Sequence, residues 1–166
     1  FSTNIYSEIR KKISNKKIIH IEPNLKLKKG FMNRDWGFEK WQQVVNELKD
    51  DFVFFQSSFG KDKILQNVIN LHNVNFRKSC ALLSNADLFI GIEGGMHHAA
   101  AALNKNAVVI FGGFIHPSIT GYDFHKNLYI EDEKSPCGLK DECNHCQKCM
   151  ELITVYDVKK AIIRLL

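Results

Sequence analysis

Residues 87–111 constrain this chain more than any other stretch. They read Asp87-Leu-Phe-Ile-Gly-Ile-Glu93-Gly94-Gly95-Met-His97-His98-Ala-Ala-Ala-Ala-Leu-Asn-Lys-Asn-Ala107-Val-Val-Ile-Phe111. An apolar run, Leu88–Ile92, meets an acid and two glycines. It becomes alanine-rich and then gives way to a second apolar run, Ala107–Phe111. That order reads as strand, tight turn, helix, strand. The helix opens at Glu93-Gly94-Gly95 with unpaired backbone N–H groups and the positive end of its dipole, a place that attracts phosphate.

The rest of the chain repeats this alternation. Lys17–Ile21 is a short β-branched run ended by Glu22-Pro23-Asn24, hence a buried strand. A basic loop follows to Asp35. Phe38, Trp41, Val44, Val45 and Leu48 recur at helical spacing, which predicts a helix over Phe38–Lys49. Strands are expected at Asp51–Gln56, around Val68–Leu71 and at Asn127–Ile130. Helices are expected at Phe76–Ser84, with Cys80 and Leu83 facing inward, and at Met96–Leu103. Thr154-Val155-Tyr156-Asp157 is a capping-box pattern opening a last helix, with Val155, Val158, Ala161, Ile162 and Leu165 on one face. Continuously apolar strands alternating with helices predict an α/β domain, a Rossmann-like parallel sheet with helices on both faces. In such a sheet the loops Glu22–Asp35, Gln56–Lys61, Glu93–His98 and Gly112–His125 share the ligand-binding edge.

With 166 residues, the chain is expected to form one domain with its own core. Residues 17–166 are read as that domain. Residues 1–16 are read as a connector from a preceding domain, since the chain begins at Phe1 and Tyr6–Ile13 shows weak helical periodicity. No apolar run approaches the roughly 18–20 residues of a membrane span. The net charge of +5 is mild and lies largely in Arg10-Lys11-Lys12, Lys16-Lys17 and Lys26 to Lys29. It reads first as a solvated surface, with an anionic ligand or an anionic membrane surface as the functional alternatives. Basic residues are not interleaved with aromatics in a nucleic-acid-binding module, so no nucleic-acid partner is expected.

Neither Gly-x-Gly-x-x-Gly nor Gly-x-x-x-x-Gly-Lys-Ser/Thr occurs, which argues against a nicotinamide or flavin enzyme and a P-loop. Arg34 is the best-placed cation of the first loop for a pyrophosphate, with Lys28 and Lys29 as competitors. Glu93 can accept hydrogen bonds from sugar hydroxyls. His97 and His98 stand in the first helical turn about 100° apart, so one of them faces a ligand. His116, Thr120 and Gly121 are weaker candidates on a loop that follows a strand.

Asp87 to Leu103 resembles the signature of glycosyltransferase family 9, the heptosyltransferase-like enzymes of lipopolysaccharide assembly. Their motif runs Asp-Thr-Gly-x-x-His-Leu-Ala-Ala-Ala after an apolar strand. In that register Glu93 takes the Asp position, Gly94 the Thr, Gly95 the Gly and His98 the His. Arg34-Asp35-Trp36 is similar to the family's Lys-x-Trp element, Thr120-Gly121 to its Thr-Gly pair, and Cys149-Met150 with Ile153 to its Cys-Met-x-x-Ile pattern. Glu for Asp lengthens the acid by one methylene, and Gly for Thr removes a hydroxyl.

The resemblance implies the C-terminal, nucleotide-sugar-binding half of a GT-B glycosyltransferase. Arg34, Glu93, Gly94, Gly95, His98, Thr120 and Gly121 would bind the donor. The enzyme would be an inverting transferase moving a sugar from a nucleoside-diphosphate donor, ADP-heptose-like, to a lipopolysaccharide or other surface-glycan acceptor, lipid-linked or saccharide. Its catalytic base would lie in the missing N-terminal domain, so this part alone is expected to be inactive. The enzyme would work in the cytoplasm, at the inner face of the bacterial inner membrane with peripheral association. No Asp-x-Asp element is present, so transfer is expected to need no cofactor.

The pattern Cys137-x5-Cys143-x2-Cys146-x2-Cys149 puts four of the five cysteines in the loop 137–149. Three states stay open for them: a structural metal, zinc or an iron–sulfur cluster, free thiols, or disulfides. Two other readings compete with the transferase. One is a non-catalytic, metal-stabilised interaction domain; the other is a nucleotide-sugar epimerase on the GT-B scaffold.

Overall fold

The computed structural model describes residues 16–23 and 32–166. The expected connector thus lies, but for Lys16, outside the described residues, as do Lys28 and Lys29. Six parallel strands form one sheet: β1 Ile18–Glu22, β2 Val53–Ser57, β3 Ile69–Leu71, β4 Leu88–Ile92, β5 Ala107–Gly112 and β6 Lys126–Tyr129. Their order is β3-β2-β1-β4-β5-β6. Chain order reverses between β1 and β4, where Ile21 pairs with Ile90 and Glu22 with Gly91. In open α/β sheets the crevice beyond such a reversal is where ligands bind.

The helices are α1 Phe38–Leu48, α2 Phe76–Leu83, α3 Gly95–Ala102, α4 Pro117–Thr120, α5 Asn144–Leu152 and α6 Val155–Leu165, with a 3-10 turn at Met32–Arg34. Side chains alternate across the strands, so each strand feeds two cores. Ile19, Ile21, Phe54, Leu88, Ile90, Val108 and Ile110 face α1 and α6, which supply Trp41, Val44, Val45, Val158 and Ile162. Ile18, Phe55, Phe89, Ala107, Val109 and Phe111 face the other side, covered by Leu82 and Leu83 of α2 and Ala100 of α3. The alternation explains why the strands read as unbroken apolar runs.

Two local expectations change. Cys80 is only partly buried, because the inward face of α2 carries Ser79, Leu82 and Leu83. A residue one step from Ser79 is turned about 100° away from it. The cysteine segment is not all loop, since α5 begins at Asn144 and carries Cys146 and Cys149. No helix among the described residues is long and apolar enough to cross a membrane.

Candidate functional site

The turn after β4 lies at the chain reversal. Gly94 is the N-cap of α3, with extended backbone and no side-chain cap. Among the described residues no hydrogen bond occupies the N–H groups of Gly95, Met96 or His97. The helix start is therefore open, with a concentration of donors at the positive end of the dipole.

Arg34 reaches this turn from the 3-10 turn Met32–Arg34. Its Nη1 donates to the Glu93 carboxylate in an ion pair, with the Glu93 carbonyl 3.4 Å away. Both side chains are largely buried, and the guanidinium lies 5.3 Å from the centre of the Phe114 ring. Arg34 and Glu93 are 59 positions apart. Their meeting depends on β1 and β4 being neighbours.

The two histidines divide. His97 is fully buried, and its Nδ1 accepts the Gly94 N–H at 3.5 Å. Its Nε2 is left to the Thr120 carbonyl, short of full hydrogen-bond geometry. Burial lowers its pKa from 6.5 to about 4, with His98 and His125 as further causes, so the ring is neutral at neutral pH. His98 is partly exposed, and its Nδ1 lies 3.0 Å from the Tyr122 hydroxyl. Glu93, His97 and His98 each bring a ligand atom within 4.8 Å of the others.

Thr120 joins the site through His97. The Thr120 hydroxyl is buried without a hydrogen-bond partner among the described residues. A Cβ at Gly121 would meet the Pro117 carbonyl oxygen at 2.5 Å, so glycine there is explained by closure of α4. His116 instead caps α4, accepting from the Ser118 N–H at 3.1 Å.

Sequence reading missed Tyr122, whose ring touches His97, His98 and His125. It also missed Phe114 and the buried Asn33. Nothing local marks them; Tyr122 meets His97 and His98, Phe114 meets Arg34, and Asn33 meets loop 137–143 only across distant segments.

None of the five cysteines is disulfide-bonded. The sulfurs of Cys137, Cys143 and Cys146 lie within 4.8 Å of one another, with Cys137 and Cys143 at 3.3 Å. Cys149 departs from the expected set of four. It sits about one turn further along α5, grouped with His145 and Asp132 and beside Ser135. There it packs so closely under Gly113 that a Cβ on that glycine would meet its sulfur at 2.5 Å. The Cys146 backbone N–H, followed by the Cys137 thiol, holds Cys143 below the ordinary thiol range. Burial pushes Cys146 and Cys149 up.

Strand order, chain reversal and the open helix start define a class: a Rossmann-like parallel α/β domain, the fold of the GT-B C-terminal domain. The chain belongs to glycosyltransferase family 9 (heptosyltransferase), whose model matches residues 6–151. It is similar to the Escherichia coli ADP-heptose lipopolysaccharide heptosyltransferase II, with 17% identity and a TM-score of 0.69, covering 99% of this chain and 52% of that one. For a family 9 glycosyltransferase from Veillonella parvula the values are 13% and 0.74, covering 99% and 49%. For the iron-containing dodecameric glycosyltransferase TibC of enterotoxigenic E. coli they are 18% and 0.69, covering 92% and 45%. The chain thus spans about half the length of these structures. No curated protein matches it.

Proposed function

We propose that this chain is the donor-binding half of an inverting glycosyltransferase that takes its sugar from a nucleoside diphosphate. One observation carries the reading. The Arg34–Glu93 ion pair stands beside the uncapped start of α3, at the reversal of a parallel sheet. A diphosphate leaving group develops charge as the glycosidic bond breaks. Preorganised N–H groups and a guanidinium stabilise that charge without a metal. The Gly95, Met96 and His97 N–H groups and the Arg34 guanidinium take the diphosphate in this reading. Glu93 orients Arg34 and accepts from donor hydroxyls, and His98 donates to a phosphate oxygen from the side held by Tyr122. Thr120 and Gly121 close the far wall.

The acceptor is a lipid-linked or saccharide glycan, of the lipopolysaccharide kind. Its hydroxyl attacks the anomeric carbon from the face opposite the diphosphate, losing its proton to a base outside this chain. The donor of the E. coli relative, ADP-heptose, makes an ADP-heptose-like donor the first to try. A soluble nucleotide donor and a lipid-linked acceptor put the reaction in the cytoplasm at the inner face of the membrane. Calorimetric titration with ADP, GDP and UDP is the test. Binding of one diphosphate in preference to its monophosphate is expected. Failure of all three at millimolar concentration would overturn the reading and favour a non-catalytic module.

We further infer that Cys137, Cys143 and Cys146 hold a structural metal, zinc first and iron second. A tetrahedral zinc–thiolate site separates sulfurs by about 3.8 Å, close to what the trio has without a bridge. Iron is the ion named for TibC. Elemental analysis of the purified protein distinguishes the two. Absence of both at stoichiometric levels leaves the trio as free thiols.

A further inference from the structure

Asn33 is fully buried. Its side-chain amide donates to the Leu139 carbonyl at 2.9 Å and to the Asp141 carbonyl at 2.8 Å. Its side-chain oxygen accepts the Cys143 N–H at 2.8 Å. Three of the four hydrogen bonds an asparagine side chain can make are thus spent on one segment. That segment, 137–143, is the loop whose ends meet where the Cys137 and Cys143 sulfurs approach.

The same loop grips the other side of Arg34. The Cys137 N–H donates to the Gly113 carbonyl at 2.9 Å, and the Gly138 N–H to the Phe114 carbonyl at 3.0 Å. Phe114 is the ring beneath the Arg34 guanidinium. The residue before Arg34 in the chain and the ring under its head group are therefore both tied to loop 137–143.

We propose that Asn33 is a positioning residue through which loop 137–143 holds the Arg34 guanidinium in place for a nucleoside diphosphate. This rests on the reading of Arg34 as a donor-diphosphate ligand. Truncating Asn33 leaves two carbonyls and an N–H without their partner and frees the 3-10 turn to swing Arg34 away. The cost falls on ligand affinity because Arg34 contributes only when it is aimed.

The test is a double-variant cycle on the whole protein, read by ADP titration. Asn33→Ala is expected to weaken ADP binding about tenfold. In an Arg34→Ala background it is expected to add nothing, since the group it positions is gone. A purely structural role would instead weaken binding equally in both backgrounds and would overturn the proposal, as would wild-type affinity in folded Asn33→Ala. Should Asn33→Ala fail to fold, Gly138→Ala serves in its place. That glycine is exposed, with φ +63° and open space where a Cβ would lie, so alanine strains only the loop. It is expected to weaken ADP binding severalfold, again with no effect beside Arg34→Ala, and the same two contrary results apply. Amide exchange over residues 32–36 needs no ligand. Faster exchange in either variant supports the coupling, and unchanged exchange overturns it. A wild-type protein that binds no diphosphate overturns the donor reading instead, and exchange still decides the tether.

Discussion

Two helix starts in this molecule are built in opposite ways. At α6 the Thr154 hydroxyl accepts the Asp157 N–H at 3.2 Å, and the Asp157 carboxylate accepts the Thr154 N–H at 2.9 Å. At α3 the N-cap is Gly94, and its side-chain partner among the described residues is the His97 ring, at 3.5 Å. The first start spends its donors on its own chain and contributes stability. The second leaves its first donors without a partner among the described residues while sitting beside Arg34 at the sheet reversal. The difference separates a helix end that serves the fold from one kept open for an anion.

The largest effect is expected from closing the open start. Gly94 has extended backbone, and a Cβ there meets nothing within 4 Å. Gly94→Asp therefore fits, caps α3 and places a negative charge where the diphosphate would lie. ADP affinity should fall roughly 100-fold, by like-charge repulsion, while Tm rises slightly. Calorimetry and thermal melts on the same preparation read both; unchanged ADP binding in a folded variant would remove the anion from this turn.

Acid should pull the two starts apart in different windows. His97 falls from 6.5 to about 4 on folding, so the unfolded chain binds the proton more readily. Stability is then lost as pH falls from about 6.5 toward 4. Buried His20, lowered to about 4 by desolvation, acts in the same direction. Asp157 is held below its ordinary 3.8 by its hydrogen bonds to Thr154. Its contribution is complete above 3.8 and is lost only as pH falls through the lowered value. Amide exchange, corrected for intrinsic rates, should rise at residues 98–102 near pH 5 and at 158–161 only below pH 4. His97→Gln should make the melting profile shallower above pH 4, leaving the part that His20 and His125 contribute. Simultaneous opening of both starts would erase the distinction.

A smaller effect follows from opening the closed start. Thr154→Ala should cost about 1 kcal/mol and lower Tm by roughly 2–4 °C, with ADP binding unchanged. The smallest tests the family's own residue. Gly94→Thr supplies a neutral cap, should stabilise by about 1 kcal/mol or less, and should move ADP affinity no more than a few-fold. A loss as large as that of Gly94→Asp would mean that bulk, not charge, governs the turn.

Legibility followed the same division. The α6 cap was visible because both partners lie within four residues. The β4–α3 turn was visible because strand, glycines and alanine helix are contiguous. Arg34 and Glu93 were each singled out, but their pairing was not, since it arises from β1 lying beside β4. Cys149 was grouped with the other three by spacing, yet α5 carries it about one turn further along to Gly113 and Ser135. Asn33 left no local signal, because its three partners lie more than 100 positions away. The partial exposure of Cys80 is not legible locally, because an eight-residue amphipathic helix fixes its buried face only when it meets a sheet.

The chain's order of apolar runs and glycines by itself determined the α/β class, the strand-turn-helix unit and the position of the open helix start, since those depend on neighbours within a few residues. Tertiary structure alone decided that Arg34 pairs with Glu93, that His97 rather than His98 is buried, and that three cysteines converge while the fourth stands apart. It also tied loop 137–143 to both flanks of Arg34. These are contacts between segments far apart in the chain, and they exist only once strand order and helix docking have brought those segments together.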